Sequence, residues 1–274
     1  MPREFYEFLF EESDSCFFRT IPSEAGWVIS IPQREATEIG QSRESSLGPY
    51  MEEIQRAKEL TEDLITALRL LKEGRVIPGV VVSASYPEEA TPSLGSTIAW
   101  TSVTSLDFFE EESTYSLVRG DLDNISALFG QILGWRDNGI LNQLRIPLHR
   151  FHSGYLGDIE ERLVDQIIAL ESLYLGDSQE LSYKLALRAS YQLGNTRETR
   201  NEIFRDLKRA YNYRNRIVHG NTPPTRAQLR QVVPKTEEYL RQSLRMYLFL
   251  LSQGNTMRQI QQELLDNVIL EGGQ

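Results

Sequence analysis

At 274 residues the chain has room for one large domain or two ordinary ones, and 40% hydrophobic with 25% charged residues is the make-up of a globular protein, not a disordered one. The single cysteine, Cys16, excludes an intrachain disulfide, and a net charge of −10 excludes a protein that coats nucleic acid by bulk charge, because phosphate affinity depends on Lys and Arg. No run approaches the roughly 20 apolar residues of a membrane span, and the N-terminus lacks the basic-then-apolar order of a secretory signal, so the expected location is cytoplasmic, with no membrane contact.

In chain order, the first part predicts mixed α and β structure. Residues 26–31 (GWVISI) and 78–84 (PGVVVSA) have the β-branched character of strands, with weaker candidates at 97–103 and 114–118. Residues 50–72 carry apolar side chains at helical spacing and predict a long amphipathic helix. Pro87 and Pro92 make 86–95 a loop. A helix at 122–133 then leads into GWRDNG (134–139), whose turn-forming residues predict a domain boundary.

Beyond that turn the pattern predicts helices at 141–151, 159–175, 180–193, 196–218, 226–252 and 256–269. Asp158 is placed to start the second of them, and Gly176 and Gly194 to end helices in a left-handed cap. Short links between consecutive helices imply a bundle. The expected class is therefore α+β, with a mixed α/β domain over 1–135 and an all-α bundle over 141–270.

Charge is unevenly spread. Residues 1–63 hold fourteen acids against six basic residues, a net of −8, whereas 184–220 hold nine basic residues against three acids, a net of +6. In the helix expected at 196–218, Ile203, Leu207, Ala210, Tyr211, Arg214 and Val218 fall on one stripe, so Arg214 occupies an apolar position and needs a partner. Arg205, Lys208, Asn212, Asn215 and His219 form a second, polar stripe able to take phosphate. Arg214 and His219 lie about 140° apart on a regular helix, a gap that a long Arg side chain or a π-type bulge would close. Gly220, Pro223 and Pro224 end the helix at His219, where the negative pole of the backbone dipole favours imidazolium and acid–base chemistry on a phosphodiester.

The segment 211–220, YNYRNRIVHG, resembles the R-N-x-x-x-H signature of the HEPN superfamily, here Arg214, Asn215 and His219, and its R-N-R-I-V-H-G looks most like the Apea-like branch. Upstream runs at 168–175, 183–194 and 203–211 resemble that branch in the same order, so the likeness covers about residues 141–270. It implies a metal-independent endoribonuclease that needs no cofactor and acts as a homodimer, two motifs sharing one cleft. Arg214, Asn215 and His219 would be catalytic, yielding a 2′,3′-cyclic phosphate, in antiviral defence or a toxin-like stress response. The alternative is a non-catalytic HEPN scaffold or sensor that binds RNA, nucleotide or protein. The first domain would then be a sensor for a protein or ligand partner.

Around this motif, Arg205, Lys208, Asn212, Tyr213 and Arg216 are the expected RNA contacts. Glu171 sits among Ile167, Ile168, Tyr174 and Leu175, an apolar setting for a carboxylate, and is expected to meet Arg214 or Arg188 as structural support. His149, His152 and Asp158 have a loose metal-like spacing but read better as solvated side chains near a helix end. GRVIPG (74–79) lacks the Lys and hydroxyl residue of a phosphate-binding loop.

Overall fold

A computed structural model describes residues 17–19, 28–30, 47–74, 76, 80–84, 97–101, 115, 117–176, 180–220, 222–264, 266 and 269. The chain forms two compact units: Met1–Leu64 with Pro78–Ser105 and Leu117–Leu122, and Ile65–Ile77 with Leu106–Ser116 and Asp123–Gln274. In the first lie β1 (Phe17–Arg19) paired antiparallel to β2 (Val28–Ser30), β3 (Val80–Ala84) paired antiparallel to β4 (Thr97–Thr101), and most of α1 (Leu47–Leu71). Phe18 faces Ile29 across the first pair, and Val82 faces Ala99 across the second.

This corrects the expected α+β class to all-α. The β-branched runs do extend, but each pairs only with one neighbour, and among the described residues neither ribbon gains a third strand. A two-stranded ribbon is too small to make a layer that helices could cover. Helix dominates the rest of the described residues. The candidate strand at 114–118 is not one where it is described: Tyr115 instead donates its hydroxyl to Leu68 O at 2.8 Å. The loop expected at 86–95 lies outside the described residues.

The second unit is a helical bundle of α2 (Leu122–Asp137, from Asp123), α3 (Ile140–Gln143), α4 (Arg145–Ser153), α5 (Ile159–Tyr174), α6 (Leu181–Leu193), α7 (Arg197–Val218) and α8 (Arg226–Ser252), with a short α9 (Met257–Gln259) after it. The turn predicted at 134–139 is narrower, since α2 runs on to Asp137. The single helix expected at 141–151 breaks at Leu144, because Pro147 has no N–H to continue it and is accommodated in the first turn of α4.

Helix α5 is the hub, packed against α4, α6, α7 and α8. Its Leu163, Ile167, Leu170 and Leu173 are wholly buried, each worth about 1.5–3 kcal/mol. Asp158 caps it, accepting from the N–H groups of Glu160 and Glu161 at 2.9 Å, while Glu161 reaches back to the Asp158 N–H. At the other end the carbonyls of α5 are taken up by side chains: Gln261 donates to Leu173 O and Arg188 to Tyr174 O. Gln261 belongs to a π-helical turn, Ile260–Leu264, inside the helix expected at 256–269, whose residues 257–259, 266 and 269 are α-helical. Gly194 does end α6, but in extended backbone, not a left-handed cap; a Cβ there would meet Ser190 O at 2.8 Å and Arg200 N at 2.9 Å. No helix among the described residues is long and apolar enough to cross a membrane.

Candidate functional site

Helix α7 carries the motif, and its faces follow the sequence pattern. Ile203, Leu207, Ala210 and Tyr211 are buried, while Arg205, Lys208, Arg209 and Asn212 are exposed. Val218, expected on the buried stripe, is instead 49% exposed, and Ile217 turns towards the core in its place. Thr196 caps the start of the helix, accepting from Thr199 N–H at 3.2 Å. Gly220, at φ +70°, provides the left-handed residue that ends it.

Arg214 emerges from the apolar stripe between Glu171 and Asn215. Its Nη2 lies 3.6 Å from Glu171 Oε2, its Nη1 donates to Asn215 Oδ1 at 3.2 Å, and its Nε is buried without a hydrogen-bond partner. Of five guanidinium N–H groups, most are therefore uncommitted. Glu171 is fixed from the other side by Tyr211, which donates its hydroxyl to Oε1 at 2.8 Å. Burial, and then the adjoining Glu171, push the Tyr211 phenol up to about 12, so it remains a donor. The guanidinium carbon of Arg214 also stands 5.9 Å from the Tyr211 ring centre.

His219 caps the C-terminus of α7, exposed, with its backbone N–H on Asn215 O at 3.0 Å. The helix stays regular to Val218, with no π-bulge to bring Arg214 and His219 together. Among the described residues no hydrogen bond or ion pair joins them. One chain thus pairs Arg214 with Asn215 and leaves His219 standing apart.

The other expected contacts divide. Arg205 and Lys208 have no carboxylate partner among the described residues, because the acids of the same helix are drawn away: Lys235 on α8 binds both Glu202 Oε1 and Asp206 Oδ2 at 2.9 Å. Arg216 is committed to the loop beyond the motif, donating to Thr222 O at 2.7 Å and Pro223 O at 3.1 Å. Tyr213 is half-buried, 5.6 Å from the Arg216 guanidinium. Arg188 does not meet Glu171; it bonds Tyr174 O at 2.7 Å and Asp266 Oδ1 at 3.0 Å. Ile217 lines an open depression of about 740 Å³ with Arg150, Leu156, Asp158, Glu161 and Asp165, a carboxylate-rich hollow unsuited to phosphate.

His152 is not a solvated side chain. Its Nδ1 accepts from Arg69 at 2.6 Å, which leaves Nε2–H to donate to Thr66 Oγ1 at 3.0 Å, and burial followed by Arg69 and His149 lowers its pKa to about 3. This ring borders a buried polar network that sequence reasoning missed. Glu237 Oε1 accepts from Tyr155 and Arg241, both at 2.8 Å, and Oε2 accepts two bonds from Arg162, one at 3.0 Å. Arg241 Nε donates to Arg69 O at 2.8 Å. The signal was present: Glu237 and Arg241 stand four residues apart on a face that also carries Val233, Leu240 and Leu244.

No family model matches this chain, and no curated protein or solved structure proved similar to it. The likeness to HEPN proteins therefore rests on the motif and on the order of the segments before it.

Proposed function

We propose that this protein is a metal-independent endoribonuclease of HEPN type, acting in the cytosol on single-stranded RNA. The observation that supports it most is Arg214: a guanidinium with most of its donors uncommitted, beside Asn215, at the end of an exposed basic face that finishes in His219. Under this reading one His219 imidazole takes the proton of the ribose 2′-hydroxyl. The 2′-oxygen bonds to phosphorus, the bond from phosphorus to the 5′-oxygen breaks, and a second imidazole protonates that oxygen. Arg214 stabilises the charge growing on the phosphoryl oxygens, and Asn215 holds the guanidinium in line. The products are a 2′,3′-cyclic phosphate and a 5′-hydroxyl. Because His219 and Arg214 are not joined within one chain, a second copy would complete the site.

The test is incubation with end-labelled single-stranded RNA in EDTA. Wild type should cut and leave cyclic phosphate ends, and His219→Ala should not. Equal binding without cleavage by either protein would instead favour the scaffold reading, and arrest of wild-type cleavage by EDTA would defeat the metal-independent one.

A further inference from the structure

The basic face of α7 has an aromatic neighbour that the motif does not use. Tyr183, in the first turn of α6, is 49% exposed although it belongs to a helix whose Leu185, Ala186 and Ala189 are wholly buried. Phe204 of α7 braces its ring edge-to-face, with centroids 5.6 Å apart and planes at 80°, and Lys208 Nζ lies 5.9 Å from its centre. A half-exposed ring held by a second ring and bordered by a cation, Lys208, is suited to stacking a base while the exposed cations of α7 take phosphate. The two tyrosines nearer the motif are less suited: Tyr211 is buried on Glu171, and Tyr213 is half-buried against the core.

We propose that Tyr183, with Lys208 and Arg205, forms a second RNA subsite that stacks a nucleobase of the bound strand away from the scissile linkage. This rests on the endoribonuclease reading and extends it. Lys208 and His219 are eleven residues apart, roughly 16 Å along the helix, so the stacked base belongs to a nucleotide several positions from the one that is cut. Stacking accepts every base, so the subsite adds affinity and sets a minimum substrate length without reading sequence.

The test uses the full chain carrying His219→Ala, so that RNA is bound and not cut, and fluorescence anisotropy with a labelled single-stranded oligonucleotide. Adding Tyr183→Ala should weaken binding about tenfold, whereas Tyr183→Trp should preserve it. On an oligonucleotide with an abasic backbone, Tyr183→Ala should change nothing, because only the base is stacked. Unchanged affinity of the Tyr183→Ala protein for ordinary RNA, or an equal loss on the abasic strand, overturns the subsite while leaving the nuclease reading intact. Failure of the His219→Ala protein to bind RNA at all overturns both. A change of oligomeric state in Tyr183→Ala with RNA affinity unchanged assigns the ring to a protein contact and also overturns the subsite.

Discussion

Glu237 and Glu171 both meet arginine inside the helical bundle, yet their surroundings are opposites. Glu237 is 4% exposed, and its two oxygens accept from Tyr155, Arg162 and Arg241 at distances of ordinary or shorter hydrogen bonds. Glu171 receives one good bond, from Tyr211, and stands 3.6 Å from an Arg214 that keeps one nitrogen buried and unpartnered. A saturated buried network fixes helices in place and has nothing left to offer a ligand. An incompletely satisfied, half-buried pair costs stability and keeps donors in reserve. The difference teaches where to look for chemistry: at the polar cluster whose hydrogen bonding is unfinished.

The comparison can be broken most forcefully at Glu237. Glu237→Gln leaves Arg162 and Arg241 buried beside a neutral amide and should cost about 3–5 kcal/mol in urea denaturation, whereas Glu171→Gln should cost far less and lower RNA cleavage more. Equal losses of stability would erase the distinction. Acid gives a second handle. His152 has a folded pKa of about 3, below the ordinary 6.5, so the unfolded chain binds its proton more readily between those values. That contribution to stability is present above pH 6.5 and is lost as pH falls towards 3. His152→Gln should therefore flatten the pH dependence of the melting temperature across that window.

A smaller effect is expected at Tyr211. Removing its hydroxyl in Tyr211→Phe should cost about 1 kcal/mol of stability and, by releasing Glu171 to draw on Arg214, lower cleavage with little change in RNA affinity. A fall in affinity instead of turnover would show Tyr211 to be a binding residue. Smallest is the response of single surface cations. Arg205→Gln should reduce the slope of log affinity against log salt by about 0.7, the value for one phosphate contact on a single strand, with the fold undisturbed.

Much of the bundle was legible because its signals are local. Asp158 announced the start of α5, Thr225 and Gln253 bracket α8 where the periodicity put it, and the two faces of α7 follow from the helical period. What escaped depends on neighbours distant in sequence. Val218 reads as core on a helical wheel but is exposed, with Ile217 packed against the core in its place. Arg188 was one of two arginines expected to meet Glu171 and instead bonds Asp266, 78 residues away. The β-branched runs before residue 105 are extended where they are described, at 28–30, 80–84 and 97–101, and such a pattern cannot tell whether a third strand will join. Within the candidate site, the Arg214 to Glu171 approach was foreseeable from a buried-face Arg and a buried-face Glu, whereas the diversion of Glu202 and Asp206 to Lys235 was not.

Gly220 has a bearing on how any mutational screen of this helix should be interpreted. Its φ of +70° suits a residue without a side chain, and nothing lies within 4 Å of where a Cβ would go, so the demand is purely conformational. Random substitution would group it with His219 as a sensitive position, through a twisted chain exit in place of lost chemistry. Asparagine, which tolerates that left-handed geometry, separates the two: it should be accepted at 220 and rejected at 219.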